Sequence, residues 1–250
     1  MPHERLLLPT SDGECPCFVF TPASRHGTLP AVIVYMDAGG IRPAMLDLAQ
    51  RIADAGFVTL LPDLFYRYGS YGPFVPQEVL AGDFRAVLGP LMATTDNAKA
   101  AQDTGALLAY LDTRNDVLAG RVGVVGFCMG GGMAIAAAGT WPGRVAAAAS
   151  FHGGRLATDD PASPHLLATK LQAEVYIAAA QDDSSYPPEM AERLEEALKG
   201  AGVHFLAEVY PAAHGWMLPD FPVYDREQAE RGWSKLLALF STMQGRPAEV

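Results

Sequence analysis

The chain has 250 residues, half of them apolar, and a formal net charge of −10 at neutral pH. An acidic chain without basic clusters is a poor candidate for binding nucleic acid or an anionic membrane surface. It contains neither a secretory signal pattern nor the roughly 18 uninterrupted apolar residues of a membrane span, so we expect a cytoplasmic protein.

The length favours a single domain over residues 1–250, built around one large core. Three cysteines, Cys15, Cys17 and Cys128, fit a reducing compartment. Cys15 and Cys17 are two residues apart in an apolar run, so both side chains are expected on one face of a strand. Packing in that strand is the preferred interpretation, and a metal or disulfide role is the alternative.

Short apolar runs alternate with helical patterns along the chain. Runs without polar alternation are typical of strands buried on both faces of a parallel sheet. The predicted strands are 15–20, 31–36, 57–62, 121–127, 146–151, 174–180 and 205–210. The predicted helices are 44–56, 96–114, 129–139, 187–202 and 224–243. This order predicts a doubly wound α/β domain, with a mostly parallel sheet and helices on both faces.

Residues 65–93, FYRYGSYGPFVPQEVLAGDFRAVLGPLMA, are the least regular part of the chain. The segment is rich in Gly, Tyr and Pro. We expect a lid-like excursion over the edge of the sheet where ligands bind.

The pattern Gly126-Phe127-Cys128-Met129-Gly130 follows an apolar strand and opens a helix. With Cys in place of Ser, it matches the G-x-S-x-G nucleophile elbow. In that motif the nucleophile sits on a turn that is too tight for Cβ atoms at the glycine positions. A helix N-terminus favours an anion, and it can therefore activate a thiol. Cys128 is the candidate nucleophile. The alternative is a small buried apolar residue, which free cysteines often are.

An acid and a histidine follow the cysteine in the order that an elbow enzyme requires. Asp182 and Asp183 come directly after the predicted strand at 174–180, and His214 follows the last strand. His214 would take the thiol proton, while one of the two carboxylates orients the imidazole. The alternative for His214 is a surface position in a loop.

An oxyanion hole needs two N–H groups near the nucleophile. The residue after the nucleophile, Met129, would supply one of them. The loop after the strand at 31–36 would supply the second, and Ala38 is the predicted donor.

With these residues the sequence resembles the dienelactone hydrolase family of the α/β-hydrolase fold. The motifs that carry the resemblance are YMDAGG, LLPDLFYR, GFCMGG, DDSSYPPE and YPAAHGW. The resemblance implies a Cys-Asp-His triad that hydrolyses small-molecule esters or lactones through an acyl-enzyme, without a metal or organic cofactor. It favours Asp183 over Asp182, because a proline, Pro187, follows Asp183 at the spacing of the family.

The resemblance also implies roles near the thiol. Asp37 stands where the family has a glutamate that restrains the resting thiol, and a carboxylate that caps the turn is the alternative. His152 is expected either to line the pocket or to be a satisfied histidine at a strand end.

One departure from the family concerns the substrate. The family binds a substrate carboxylate with arginines, one of them shortly after the catalytic histidine. This chain has Trp216, Met217 and Leu218 there, and no arginine before Arg226. We therefore expect Trp216 and Met217 to favour a more apolar acyl or alcohol group. Arg67 or Arg85 in the segment 65–93 could bind a substrate carboxylate instead. The alternative for each of them is a surface position, where arginines are more common.

Two other functions stay open from the sequence. A thioesterase or acyl transferase would use the same triad. A non-catalytic protein that binds a small molecule would keep the fold with an idle triad.

Overall fold

The computed structural model describes residues 3–23 and 27–244. These residues form one eight-stranded sheet, with the strand order β1-β2-β4-β3-β5-β6-β7-β8. Strand β2 is antiparallel to both of its neighbours, and every other neighbouring pair is parallel. The strands are β1 (Glu4–Thr10), β2 (Gly13–Phe20), β3 (Ala31–Tyr35), β4 (Val58–Pro62), β5 (Val122–Phe127), β6 (Val145–Phe151), β7 (Glu174–Ala180) and β8 (Phe205–Tyr210).

The order of strands and helices confirms the doubly wound α/β prediction. Helices fill most of the connections between the parallel strands, as parallel crossovers require. The α-helices are α1 (Pro43–Asp54), α2 (Pro76–Ala81), α3 (Phe84–Met92), α4 (Asn97–Asp112), α5 (Met129–Thr140), α6 (Pro188–Gly200) and α7 (Arg226–Ser241), and 3₁₀ turns lie at Pro164–Lys170 and Thr242–Gln244. Within the described residues, no helix is both long and apolar enough to cross a membrane.

The core lies on both sides of the central strands. All residues of β3, β4 and β5 are buried, which explains why these segments read as uninterrupted apolar runs. Helix α5 packs over β3, β5 and β6, and it consists almost entirely of glycine, alanine and other small or apolar residues. A Cβ at Gly131 would clash with Ser150 of β6, so this helix lies unusually close to the sheet.

The structure has one more strand at the N-terminal edge of the sheet than the sequence predicted. The sequence analysis placed the first strand at 15–20, whereas β1 precedes it and forms a hairpin with β2. Most of β1 is exposed or half-buried, and it includes Glu4, Arg5 and Pro9. An edge strand of this kind carries the charges and proline that discourage further pairing, so its apolar pattern is weak.

The excursion at 65–93 is more regular than expected, because it contains α2 and α3. Pro76 occupies the first turn of α2, where its missing N–H has no effect. The Asp83 carboxylate caps α3 by accepting the N–H of Ala86 at 3.1 Å. Both signals were present in the sequence, but the helices are short.

Candidate active site

The turn from β5 into α5 holds Cys128 in a strained backbone conformation. Cys128 has φ 55° and ψ −119°, and positive φ is uncommon outside glycine. A Cβ at Gly126 would overlap the backbone of Gly130, and one at Gly130 would overlap the backbone carbonyls of β3 and Met36. The two glycines thus let the strand, the helix and β3 approach closely. Strain of this kind persists only where the surroundings enforce it, and it is concentrated at functional sites.

His214 and Asp183 form a hydrogen-bonded pair beyond the carboxyl ends of β8 and β7. His214 Nδ1 lies 2.6 Å from Asp183 Oδ2. The other carboxylate oxygen accepts the N–H of Ser185 at 2.8 Å and its hydroxyl at 2.6 Å. Asp182, the alternative acid, is exposed and has a positive φ. Of the two aspartates, the structure therefore brings Asp183 to the histidine. The sequence analysis did not single out Ser185.

The charges around His214 favour its protonated form. Burial lowers its pKa, but the hydrogen bond to Asp183 and the interaction with Cys128 outweigh burial and raise the pKa to about 10. Burial raises the pKa of Asp183, but the hydrogen bonds from His214 and Ser185 hold it below its usual value. Because Nδ1 of His214 is bonded to Asp183, Nε2 is the ring nitrogen that is free for the thiol.

Two backbone N–H groups face the same space as the thiol. Met129 is the first residue of α5, so its N–H has no acceptor inside the helix. Neither this N–H nor that of Ala38 has a hydrogen-bond acceptor among residues 3–23 and 27–244. Both residues line the cavity that also contains Cys128. Two unpaired N–H groups on residues that line the cavity of Cys128 are what an oxyanion hole requires.

Asp37 is bound to an arginine that the sequence analysis did not consider. The buried Arg42 guanidinium donates to both carboxylate oxygens of Asp37, at 2.7 and 2.8 Å. Asp37 also accepts the N–H of Gly39 at 2.7 Å, which is the contact of a turn-capping carboxylate, the alternative to the thiol-restraining role. The Nε of Arg42 also donates a hydrogen bond to the Asp220 carboxylate at 2.6 Å. The described residues show no hydrogen bond between Asp37 and the thiol. Arg42 instead ties the loop of Ala38 to the segment that follows His214.

His152 lies beneath the thiol, at the end of β6. Its Nδ1 accepts the N–H of Cys128 at 3.2 Å, and its ring centroid is 5.2 Å from that of His214. Burial, and then the charge of His214, lower the pKa of His152 well below its usual value, so the ring is neutral. The proton then sits on Nε2, which is buried without an acceptor in the described part of the chain. His152 therefore supports the elbow from below rather than lining the cavity.

The structure corrects the prediction that Trp216 contacts the substrate. Trp216 is completely buried and stacks on Tyr210 with the ring centroids 4.3 Å apart. It also meets the edges of Phe151 and His152. Met217 is buried as well. The chain after His214 turns back into the core, so these residues hold the histidine loop in place and do not form the cavity wall.

The cavity above Cys128 has a volume of about 410 Å³. Its floor includes Ala38, Met129, Asp183 and His214. Neither Arg67 nor Arg85 lines it, because Arg67 is paired with Asp103 at 2.8 Å and Arg85 is exposed on α3. Among the described residues, the arginine on the cavity lining is Arg155, an exposed residue in the loop after β6 that no sequence pattern indicated. Within the described residues, no group of three or more His, Cys, Asp or Glu side chains could hold a metal ion.

Comparisons with known proteins point to one family. The sequence model of the dienelactone hydrolase family matches residues 16–244. A protein of Synechocystis sp. named "Putative carboxymethylenebutenolidase" is 31% identical over 222 residues, which cover 86% of this chain and 87% of the relative. A protein of the same name from Salmonella typhi is 28% identical over 243 residues, which cover 96% of this chain and 87% of the relative.

A solved structure gives the same result. The crystal structure described as "Putative Dienelactone Hydrolase" from Klebsiella pneumoniae superimposes with a TM-score of 0.84 and 26% identity. The match covers 96% of this chain and 98% of the other. The fold is therefore the α/β-hydrolase fold, and the chain belongs to the dienelactone hydrolase family, whose members hydrolyse ester or lactone bonds.

Proposed function

We propose that this protein hydrolyses carboxylic esters or lactones through a covalent acyl-enzyme, with Cys128 as nucleophile, His214 as acid and base, and Asp183 as the group that orients His214. The observation that carries the proposal is the convergence of these groups on one cavity. The strained Cys128, the 2.6 Å pair of His214 and Asp183, and the unpaired N–H groups of Met129 and Ala38 all face it. The described residues assemble these groups from four separate loops.

In the first half of the reaction, the sulfur of Cys128 attacks the carbonyl carbon and its proton resides on His214 Nε2. The carbonyl oxygen gains a negative charge, which the N–H groups of Met129 and Ala38 stabilise. The tetrahedral species collapses when the C–O bond to the alcohol breaks. His214 gives its proton to the leaving oxygen, and Asp183 keeps the imidazole in the required tautomer and orientation.

In the second half, water takes the place of the alcohol. His214 accepts a proton from the water, whose oxygen attacks the thioester carbon. The C–S bond then breaks, the acid leaves, and Cys128 recovers its proton. For a lactone the alcohol oxygen remains tethered to the acid, so a hydroxy acid is the single product.

The segment at 65–93 is the cap of this site in our proposal. Side chains from α2 and α3 line the cavity opposite the floor that holds the triad.

The test is hydrolysis of chromogenic esters and lactones by the wild type, Cys128→Ala and the matched control Cys15→Ala. Cys15 is also a thiol, but it is buried in β2, away from the cavity. We expect turnover to disappear in Cys128→Ala and to persist in Cys15→Ala. Intact-protein mass spectrometry should detect an acyl group on the wild type and on Cys15→Ala, but not on Cys128→Ala. Full activity of Cys128→Ala would show that the thiol is structural and would refute the proposal.

A further inference from the structure

The wall of the cavity opposite Cys128 is entirely apolar. On α3 the lining side chains Phe84, Leu88 and Met92 are spaced four residues apart, so they share one helix face. On α2 the lining residues Pro76, Val79 and Leu80 also share a face, and Phe74 precedes them. The described part of this wall contains no charged or hydrogen-bonding side chain.

Several of these apolar side chains are exposed to solvent. Leu80 is 47% exposed, Phe84 43% and Met92 37%. A protein gains stability by burying such side chains, and a contiguous exposed apolar surface usually marks a binding site. Here the surface is continuous with the thiol. An apolar group in the cavity would therefore cover the three side chains that the fold leaves uncovered.

The charges near the floor do not favour an anionic substrate. Asp37 is already bound by Arg42, and Asp183 by His214. The remaining cation on the cavity wall is Arg155, which is exposed to solvent. An exposed charge contributes little to binding because water screens it. A buried arginine that could clamp a carboxylate is absent from the cavity lining within residues 3–23 and 27–244.

We propose that the substrate carries an uncharged aliphatic or aromatic group of several carbons, which lies along α2 and α3 while the ester carbonyl sits over Cys128. The inference rests on the proposed hydrolase function and specifies its substrate class. The cavity of about 410 Å³ is at the small end of the usual range for ligand sites, which suits a medium-length chain. A carboxylated lactone would leave the apolar wall unfilled.

The first experiment measures kcat/KM for p-nitrophenyl esters from acetate to decanoate. Each methylene that becomes buried should raise kcat/KM by up to about fourfold, and the increase should stop where the cavity ends. A parallel series of alkyl acetates determines whether the apolar group is on the acyl or the alcohol side. A flat dependence in both series would overturn the proposal.

Two cavity variants and one control connect the chain-length dependence to this wall. Phe84→Ser and Leu80→Ser change exposed side chains, so neither is expected to disturb the fold. Val87→Ser is the matched control, because Val87 is 39% exposed on α3 but does not line the cavity. We expect Phe84→Ser and Leu80→Ser to flatten the chain-length dependence of kcat/KM. Val87→Ser should match the wild type. Equal slopes in all four proteins would overturn the proposal.

A third arm tests the anionic alternative with esters that end in a carboxylate, such as the p-nitrophenyl monoester of adipic acid. Preference for this ester over hexanoate, with loss of that preference in Arg155→Gln, would overturn the proposal. We expect hexanoate to be preferred by the wild type and by Arg155→Gln.

Binding distinguishes a failure of this inference from a failure of the hydrolase proposal. Calorimetry with alkyl methyl ketones of increasing length needs no turnover. If no ester is hydrolysed but affinity rises with chain length and Phe84→Ser removes the rise, the apolar site stands and the proposed catalysis fails. If esters are hydrolysed but ketone affinity is independent of length, the catalysis stands and the apolar site is refuted.

Discussion

The elbow around Cys128 and the cap formed by α2 and α3 are built in opposite ways, although they face each other across one cavity. At the elbow, a single added Cβ at Gly126 or Gly130 would overlap backbone atoms. In the cap, a Cβ at Gly89 would meet nothing within 4 Å, and several apolar side chains remain exposed. The crowded side holds reacting groups in one geometry. The open side has room for groups of different shape.

The largest predicted effect is expected at the crowded elbow. In Gly130→Ala the new methyl group would collide with the backbone of β3, which cannot move without disrupting the centre of the sheet. We expect a loss of at least about 4 kcal/mol in the free energy of unfolding, measured in urea. The control is Gly132→Ala on the same helix, where the atoms nearest to the Cβ belong to the side chain of Asn97 and not to the backbone. Similar stability of the two variants would contradict the crowding argument.

The next effect concerns chemistry rather than folding. Asp183→Asn keeps the size of the side chain but removes the charge that holds His214 in its tautomer. We expect kcat to fall by about 10³- to 10⁴-fold, with a much smaller change in stability. A loss of less than tenfold would show that Asp183 does not orient the catalytic base.

Asp183→Asn should also change how the stability of the protein depends on pH. The pKa of His214 is about 10 in the folded protein, and we expect it to fall in Asp183→Asn, as an NMR titration of the ring would show. Because the folded-state pKa is raised, the stabilisation from His214 is complete below its unfolded pKa of about 6.5. It is lost as the pH rises towards 10. Urea unfolding of the wild type should follow this trend, and Asp183→Asn should weaken it.

A third prediction concerns the ion pairs of Arg42, which join the loop of Ala38 to the segment that follows His214. Arg42→Met leaves the buried Asp37 carboxylate without its partner, and we expect a loss of about 3–5 kcal/mol in unfolding free energy. Asp220→Asn removes only the partly exposed ion pair between Arg42 and Asp220. It should lower the unfolding free energy by only about 1–2 kcal/mol. If both losses were equal, Asp37 would not be the residue that requires Arg42.

The crowded side of the site was far easier to predict from the sequence than the open side. The elbow, the order of Cys128, Asp183 and His214, and the parallel strands follow from local patterns with known backbone geometry. The roles of the triad residues stay predictions. Arg42 escaped notice because its partners, Asp37 and Asp220, are distant in the chain from each other. Trp216 was predicted to contact the substrate because it follows His214 closely in the sequence. The direction in which a loop turns depends on tertiary packing, which a local sequence pattern does not reveal. Helices α2 and α3 were missed because short helices give weak periodicity.

The smallest predicted effect probes the open side. Gly89 is an interior residue of α3, and glycine in a helix is less favourable than alanine by about 0.5–1 kcal/mol. An added Cβ there meets nothing beyond its chain neighbours, but Pro90 follows directly and disfavours helical backbone at a residue that has a Cβ. Gly89→Ala should therefore raise the unfolding free energy by only a part of that amount if the cap unfolds together with the rest of the domain. An unchanged global stability, combined with slower hydrogen exchange in α3 alone, would mean that the cap opens independently of the sheet. Either result separates the cap from the elbow, where the same substitution at Gly130 is expected to cost several times more.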